Sequence, residues 1–263
     1  MPSMTASQYH HQTSYDRYRM TPHSLDWAHQ PATEKTYPGI EAVQLPQPDR
    51  NFEGHLRRVY RGDFQTAPMP EPDLAELANI LALGHGLTAR VRQPGGAFYL
   101  RSSPSAGALY PNELYMARFY DGQTAPGIYH YDIQRFALTP LRTGNYASTL
   151  SSAASDDCSG ACAVFVITGI FFRSAWKYRA RAYRYVLLDA GHLMENLRVA
   201  FAAAGYRTKP VLTFDDDAFN RLTGVDENRE VAVGGLALVN DGKNDADGAA
   251  TEIPPVDESI RQA

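Results

Sequence analysis

Cysteine is scarce: Cys158 and Cys162 are the only two in 263 residues. Two thiols cannot build a four-ligand metal centre or a disulfide framework, so the fold has to stand on its hydrophobic core. Cys162 opens the most apolar run of the chain and reads as a buried, inert thiol. Long apolar runs are lacking as well. The longest, Ala161 to Phe172, is too short to cross a bilayer, and the N-terminus has no apolar stretch of the kind a signal peptide needs. No membrane role is therefore expected, and the cytoplasm is the expected compartment. Positive charge is not in excess either: 25 Lys and Arg against 29 Asp and Glu leave a net charge of -4, which argues against holding a nucleic-acid backbone. Four motifs are missing: Gly-x-Gly-x-x-Gly after a strand, Gly-x-x-x-x-Gly-Lys-Ser/Thr, Gly-x-Ser-x-Gly and His-Glu-x-x-His. Their absence speaks against Rossmann-type dinucleotide binding, phosphate-loop NTPase chemistry, serine-hydrolase chemistry and zinc-protease chemistry. His10-His11 is too small a cluster to make a metal site, and no metal is expected.

What is present is an ordinary globular composition, 44% hydrophobic and 21% charged, in three parts. Residues 1–52 are rich in Tyr, His, Gln and Pro, and Pro31, Pro38, Pro46 and Pro48 interrupt any period, so an extended arm is expected. Its aromatics, among them Tyr9, Tyr15, Tyr18, Trp27 and Tyr37, suit an arm laid over a folded body or a partner. Residues 53–240 form one folded unit, and residues 241–263 read as a polar, frayed tail. Within the body, Asp73 caps a helix with Leu74, Leu77, Ala78 and Leu81 on one face, ended by Gly84 and Gly86. Strands are expected at 98–100, 113–120, 128–131, 210–214 and 231–239, and a short helix at 217–222. Ala161 to Phe172 suits a central strand covered on both faces. Ser174 to Ala204 predicts one long core helix closed by Gly205, with Trp176, Tyr183, Leu187, Ala190, Met194, Leu197 and Phe201 along its buried stripe. The class is α+β, with helices packed on a largely antiparallel sheet.

Three segments suit an anionic planar ligand. Arg57, Arg58 and Arg61 bring three guanidinium forks together ahead of the first clear helix, matching phosphate oxygens or simply making a solvated basic face. Ser103 to Pro111 is a run of small residues between prolines, either a plain turn or a place where backbone and Ser hydroxyls approach a ligand closely. In Arg173 to Arg184, a continuous helix puts Arg173 and Arg181 one turn either side of Lys177. Like charges that close disfavour its protonated form and would suit it to act as a base. The alternative is an amphipathic face beside the core stripe.

These residues carry a resemblance. Ser103-Pro-Ser-Ala-Gly-Ala-Leu-Tyr-Pro111, Trp176-Lys-Tyr-Arg-x-Arg-x-Tyr-Arg184 with Asp189-Ala-Gly-His192 and Asn196, and the arm with Leu25-Asp26-Trp27 and Lys35-Thr-Tyr-Pro38 occur in order. Over about Tyr9 to Val239 the chain resembles the FMN-dependent nitroreductase superfamily, in particular its SagB-type (ThcOx-like) dehydrogenase branch. The resemblance implies a nitroreductase-like α+β homodimer with FMN at each end of the subunit interface. It implies that Arg57, Arg58 and Arg61 bind the FMN phosphate and ribityl chain, with Val59 standing where a Ser is usual. Pro104, Ser105 and Ala106 correspond to the loop that touches the flavin, and Ala108 replaces the Asn of ordinary nitroreductases, as is normal for the branch. Lys177 and Tyr178 match the pair that azoline-oxidising members place beside the flavin, Lys177 as base and Tyr178 positioning substrate or relaying the proton.

The implied activity is oxidation of a heterocycle or peptide-derived substrate, such as an azoline, to the aromatic azole, with FMN taking the hydride and dioxygen reoxidising it. The implied partners are a small-molecule or modified-peptide substrate, a second copy and other biosynthetic enzymes. Two alternatives stay open: an NAD(P)H-dependent reductase of a quinone, nitroaromatic or other small acceptor, and an inactive scaffold subunit of a biosynthetic complex. Asp189 and His192 read as a buried pair that fixes helix packing.

Overall fold

The computed structural model describes residues 4–16, 18, 23–49, 57, 59–61, 70–93, 96–154, 158, 160–240, 252–255 and 260. Its centre is the strand β7, Ala161–Ile170, buried at every position but the last. Uncharged β-branched and aromatic side chains alternate across it, so both faces need cover. Phe165 and Ile167 face one core, with Leu77, Leu81, Leu193, Leu197 and Phe201. Val164 and Val166 face a second core, with Leu150, Val211, Phe219 and Leu222. The expected strand ends two residues early, because Phe171 and Phe172 begin a helix.

Around β7 lies a seven-stranded sheet in the order β1-β6-β5-β4-β7-β9-β8. The other strands are β1 Val43–Gln44, β4 Asn112–Arg118, β5 Gly127–Asp132, β6 Ala137–Thr143, β8 Arg207–Val211 and β9 Glu230–Val239. Every described pairing is antiparallel. A separate hairpin joins β2, Leu87–Gln93, to β3, Gly96–Arg101. The strand expected at 210–214 lies earlier, at 207–211. Pro210 is tolerated there because β8 is an edge strand, where a missing N–H costs no ladder bond. The segments 87–93 and 137–143, the latter interrupted by Pro140, are strands that the residue pattern did not announce.

The first described helices are α1, Ala6–Thr13, and α2, Leu74–His85; α2 opens on a capping box between Asp73 and Glu76. Gly84 does not end α2; it lies inside the helix, where a β-carbon would come within 2.7 Å of Leu197 Cδ2. Its role is to let the long helix pass close. That helix is not continuous: α4, Phe171–Tyr178, gives way to a 3₁₀ turn at Arg179–Arg181 and then to α5, Ala182–Ala203. The break is at Arg179, whose φ is 50° and ψ -133°. It rotates the stripe, so that Ala182, Val186, Leu193 and Leu197 face inward while Tyr183 and Leu187 stay 51% and 40% exposed. The second half of the expected stripe, Ala190, Leu197 and Phe201, is buried as read. Two shorter helices, α3 Ala147–Ala153 and α6 Asp216–Thr223, cover the other face.

The arm is not extended throughout, since Thr5 and Gln8 form a capping box that starts α1. It does lie over the body: Tyr9 Oη donates to the Ala180 carbonyl at 2.8 Å, and Arg184 Nε donates to Thr13 Oγ1 at 2.8 Å. Nor is the tail wholly frayed, because Ile260 is buried and the Pro254 carbonyl accepts from Arg142 Nη1 at 2.5 Å. Both cysteines are buried free thiols, and burial pushes Cys162 up to about 12, as its inert reading expects. Among the described residues no helix is long and apolar enough to cross a membrane.

The Gly84 contact has a measurable consequence. Gly84→Ala places a methyl group against the Leu197 side chain and backbone. It should lower the unfolding free energy in urea by about 1–3 kcal/mol through overpacking.

Candidate active site

Between β3 and β4 the chain makes a compact turn whose 3₁₀ core is Ala106–Ala108. Gly107, Ala108 and Tyr110 all have positive φ, at 66°, 55° and 45°. Two of the three are not glycine, and each such position costs roughly 1–3 kcal/mol and persists only where its surroundings enforce it. Here they do. Ser105 Oγ donates to Asp189 Oδ2 at 2.6 Å, and the Ala106 N–H reaches both Asp189 oxygens at 3.2 Å. The Tyr110 N–H donates to Ser105 Oγ at 2.9 Å. Asn196 Nδ2 holds the Ser102 carbonyl at 3.1 Å. Burial pushes the Asp189 carboxyl above its usual value, while the Ser105 hydroxyl and Ala106 N–H pull it back. His192 is exposed. Asp189 therefore anchors the loop from α5 instead of pairing with His192 to fix helix packing.

The turn brings two of the sequence segments together. A β-carbon on Gly107 would lie 2.6 Å from Tyr178 Oη and 2.9 Å from Lys177 Nζ, so only glycine leaves room for this pair at the end of α4. Pro104 is exposed beside it, and Ser105 and Ala106 are half-buried. Burial, with the Tyr185 phenol alongside, pushes the Tyr178 hydroxyl above its usual value, so it is protonated at neutral pH. The expected flanking of Lys177 by two arginines forms on one side only, Arg173 lying one turn before it on α4. Arg173 turns into the core, and Arg181 lies beyond the break, bonded to the Thr13 carbonyl of the arm and to Tyr185 Oη.

Beneath the loop runs a buried polar network. Arg173 Nη1 sits 2.5 Å from Glu113 Oε1 and 3.0 Å from the Tyr110 carbonyl. Glu113 Oε2 lies 2.9 Å from His130 Nε2. Burial works against the ionised Glu113, but Arg173 and His130 overcome it and hold the carboxyl well below the usual range. His85 accepts at Nε2 from Arg101 Nη1 at 3.3 Å, which leaves Nδ1 to donate to Ser103 Oγ at 3.0 Å. Burial, followed by the charge of Arg101, lowers His85 to about 3.

An open cleft of about 450 Å³ lies over Gly107 and Lys177, between the arm and β3, with Trp27, Phe98, Tyr99 and Trp176 on its walls. That is within the range of roughly 300–1,000 Å³ in which small molecules are bound. Arg57 and Arg61 are exposed and helical. Among the described residues, no hydrogen bond joins them to the loop or to the Lys177–Tyr178 pair. Arg58 lies outside the described residues. Among the described residues no group of His, Cys, Asp and Glu could hold a metal ion. Sequence reasoning missed Glu113 and His85 as site supports, because each sits singly in its element and acquires its partners only from other elements once the chain is folded.

Comparison with known proteins places this geometry. The nitroreductase family profile matches residues 56–242. The chain is 30% identical over 134 residues to the microcin B17-processing protein McbC of Escherichia coli, covering 48% of this chain and 49% of McbC. It is 28% identical over 192 residues to MJ1384 of Methanocaldococcus jannaschii, a protein named as a nitroreductase, covering 72% of this chain and 89% of that one. Among solved structures, an Anabaena variabilis protein, also named as a nitroreductase, superposes with a TM-score of 0.75 at 29% identity, over 94% of this chain and 48% of the other. The E. coli microcin synthetase McbBCD complex matches with a TM-score of 0.55 at 20% identity, over 86% of both chains, which is a likeness of fold. The chain thus spans about half the length of McbC and of the Anabaena protein.

The buried His85 gives this region an acid response. Its unfolded value is 6.5 and its folded value about 3, so between them the unfolded chain binds a proton that the native state refuses. The His85 contribution to stability is complete above the unfolded value and falls as pH drops toward the folded one, by at most about 1.4 kcal/mol per pH unit. Urea unfolding followed from neutral pH down to 4.5, where an unfolded Glu113 begins to titrate, should fall less steeply in His85→Gln than in the parent.

Proposed function

The chain belongs to the nitroreductase family, and from that premise we propose that it is an FMN-dependent oxidoreductase of the SagB-type dehydrogenase branch. Its proposed reaction is the oxidation of an azoline-type ring, in a small molecule or modified peptide, to the azole. The observation that carries this reading is Gly107, which sets the Ser103–Pro111 loop directly against Lys177 and Tyr178. The similarity to McbC, a microcin-processing protein, supports a peptide-derived substrate and work beside other biosynthetic enzymes.

The residues fit a flavin. The Gly107–Ala108 turn offers backbone with almost no side chain, and Phe98 and Tyr99 give the adjoining cleft flat apolar walls. The exposed guanidinium groups of Arg57 and Arg61 suit a phosphate; Arg58 is assigned with them from the family resemblance, as are Pro104, Ser105 and Ala106 for the ring. A bound FMN supplies the hydride acceptor, with dioxygen the proposed final oxidant. Lys177 Nζ takes the proton from the acidic ring carbon, and the neighbouring carbon gives up a hydride as the ring double bond forms. Tyr178, protonated at neutral pH, donates a hydrogen bond that orients the ring.

The exposed face of α5 supports a homodimer. Tyr183, Leu187 and Gly191 recur every four residues along it, Leu188 and Phe172 stand exposed nearby, and Gly191 has open space where a β-carbon would be. An apolar stripe with a glycine at its middle suits close approach of a second copy. The match across most of MJ1384 favours a second reading, reduction of a small acceptor by NAD(P)H.

The visible spectrum of the purified protein, before and after anaerobic NADPH, tests both readings. Flavin absorbance that NADPH leaves oxidised fits the first, and rapid bleaching fits the second. Lys177→Ala should keep its flavin absorbance and lose azoline oxidation by at least about a hundredfold, the usual scale of a general base. A parental rate in that variant would remove Lys177 from the chemistry. Gly107→Ala, strained at positive φ and crowding both side chains, should lose about tenfold or more in the same assay.

A further inference from the structure

The only two tryptophans of the chain, Trp27 and Trp176, meet at one place. Their rings cross edge to face, with centroids 5.2 Å apart and planes at 73°. Trp176 immediately precedes Lys177 on α4, whereas Trp27 comes from the arm, ahead of the residues 56–242 that match the family. The arm is clipped down on both sides of Trp27. The Lys177 carbonyl is 3.0 Å from His23 Nε2, and the Asp26 carbonyl accepts from Trp176 Nε1 at 2.6 Å. Further along, the Thr33 carbonyl accepts from Arg101 Nη2 at 2.6 Å. Despite these clips, Trp27 stays 67% exposed. An indole held in place yet left largely uncovered adds little to the core, since the contribution of a Trp comes from the large area it buries.

What Trp27 does face is the 450 Å³ cleft over Gly107 and Lys177. Among the described residues, Glu34 and Lys177 are the only acid and the only amine in its lining, so no cluster of like charges is present to select an ionic ligand. Apart from those two, the described lining is aromatic rings, aliphatic and small side chains, one Thr and two glutamine amides.

We propose that Trp27 and Trp176 form the recognition wall of this cleft and select a neutral, planar ring, holding it beside Lys177 Nζ. The inference rests on the azoline-oxidising reading and deepens it: specificity is carried by the arm, which the family-matched body does not include. It follows that the arm contributes to substrate affinity without contributing to flavin retention.

Because there are no other tryptophans, selectively excited tryptophan emission reports on this wall alone. The flavin-loaded full chain would be titrated with 2-phenylthiazole, a neutral planar azole that cannot lose a further hydride. Saturable change of the emission is expected. Calorimetric titration of Trp27→Ala should show binding weakened about two- to tenfold, the scale of one aromatic contact, with flavin absorbance at the parental level and affinity recovered in Trp27→Phe. In turnover of methyl 2-phenylthiazoline-4-carboxylate, a neutral azoline whose ester makes the C4 proton acidic, Trp27→Ala should raise KM more than it lowers kcat. Equal affinity in parent and Trp27→Ala, no binding to the flavin-loaded parent, or release of flavin as the azole binds would each overturn the proposal. Parental binding of the azole that Trp27→Ala weakens, with no turnover of the azoline, would instead sink the oxidase reading and leave the recognition wall standing.

Discussion

The buried ion pair between Arg173 and Glu113, at 2.5 Å with both side chains under 5% exposed, organises the active side of the molecule. Glu113 comes from β4 and Arg173 from the first turn of α4, so the pair ties the helix that follows the central strand to the neighbouring strand. The same guanidinium holds the Tyr110 carbonyl at the end of the loop. Lys177 lies one turn further along α4, on the same side as Arg173, and is thereby aimed at Gly107. A buried charge of this kind is costly to leave alone, by about 3–5 kcal/mol when one partner is removed. Its benefit lies less in stability than in fixing one arrangement of loop and helix.

A second constraint follows. The loop keeps Gly107, Ala108 and Tyr110 at positive φ, a conformation that a free segment of this composition would abandon. Asp189 holds it through the Ser105 hydroxyl and the Ala106 N–H, from a position on α5 beyond the break at Arg179. The two helices therefore act on the loop from different directions: α4 presents Lys177 and Tyr178, and α5 presents the carboxylate that keeps the loop folded. One straight helix would follow a single axis and carry the register of Lys177 straight through to Asp189. The break lets each half follow its own contact, and it also turns Tyr183 and Leu187 outward, leaving an exposed apolar face on α5.

The arm completes the arrangement by distributing anchors over the same corner. Thr13 and His10 receive Arg181 and Arg184, while Tyr15 lies under the Arg181 guanidinium at 3.7 Å from its ring centre. Further along, Lys35 reaches into the core and bonds Glu230 at 2.7 Å. These contacts, made to residues far away in sequence, set the arm over Lys177 and Tyr178, while Tyr37 and Leu45 are buried further along it. That is why its aromatic content is visible in the sequence while its path is not.

The residue pattern alone was enough for the α+β class, the central strand and the capped helix at Asp73, and it drew notice to the Ser103–Pro111 segment; the pairing of Lys177 with Tyr178 came from the family resemblance. The first four are marked by local chemistry: an uncharged β-branched run, an Asp three residues before a Glu, or small residues between prolines. The break at Arg179, the inward turn of Arg173, the anchoring by Asp189 and the interior place of Gly84 were not legible. The local signals there are missing or misleading: nothing marks a break at Arg179, Gly84 reads as a helix end, and Asp189 reads as the partner of His192. Their causes are partners far away in sequence, with Glu113 pulling Arg173, Leu197 crossing Gly84 and Ser105 meeting Asp189. Periodicity records which side chains are apolar, but it is the close packing of α2, α4 and α5 on one sheet that selects which of them turn inward.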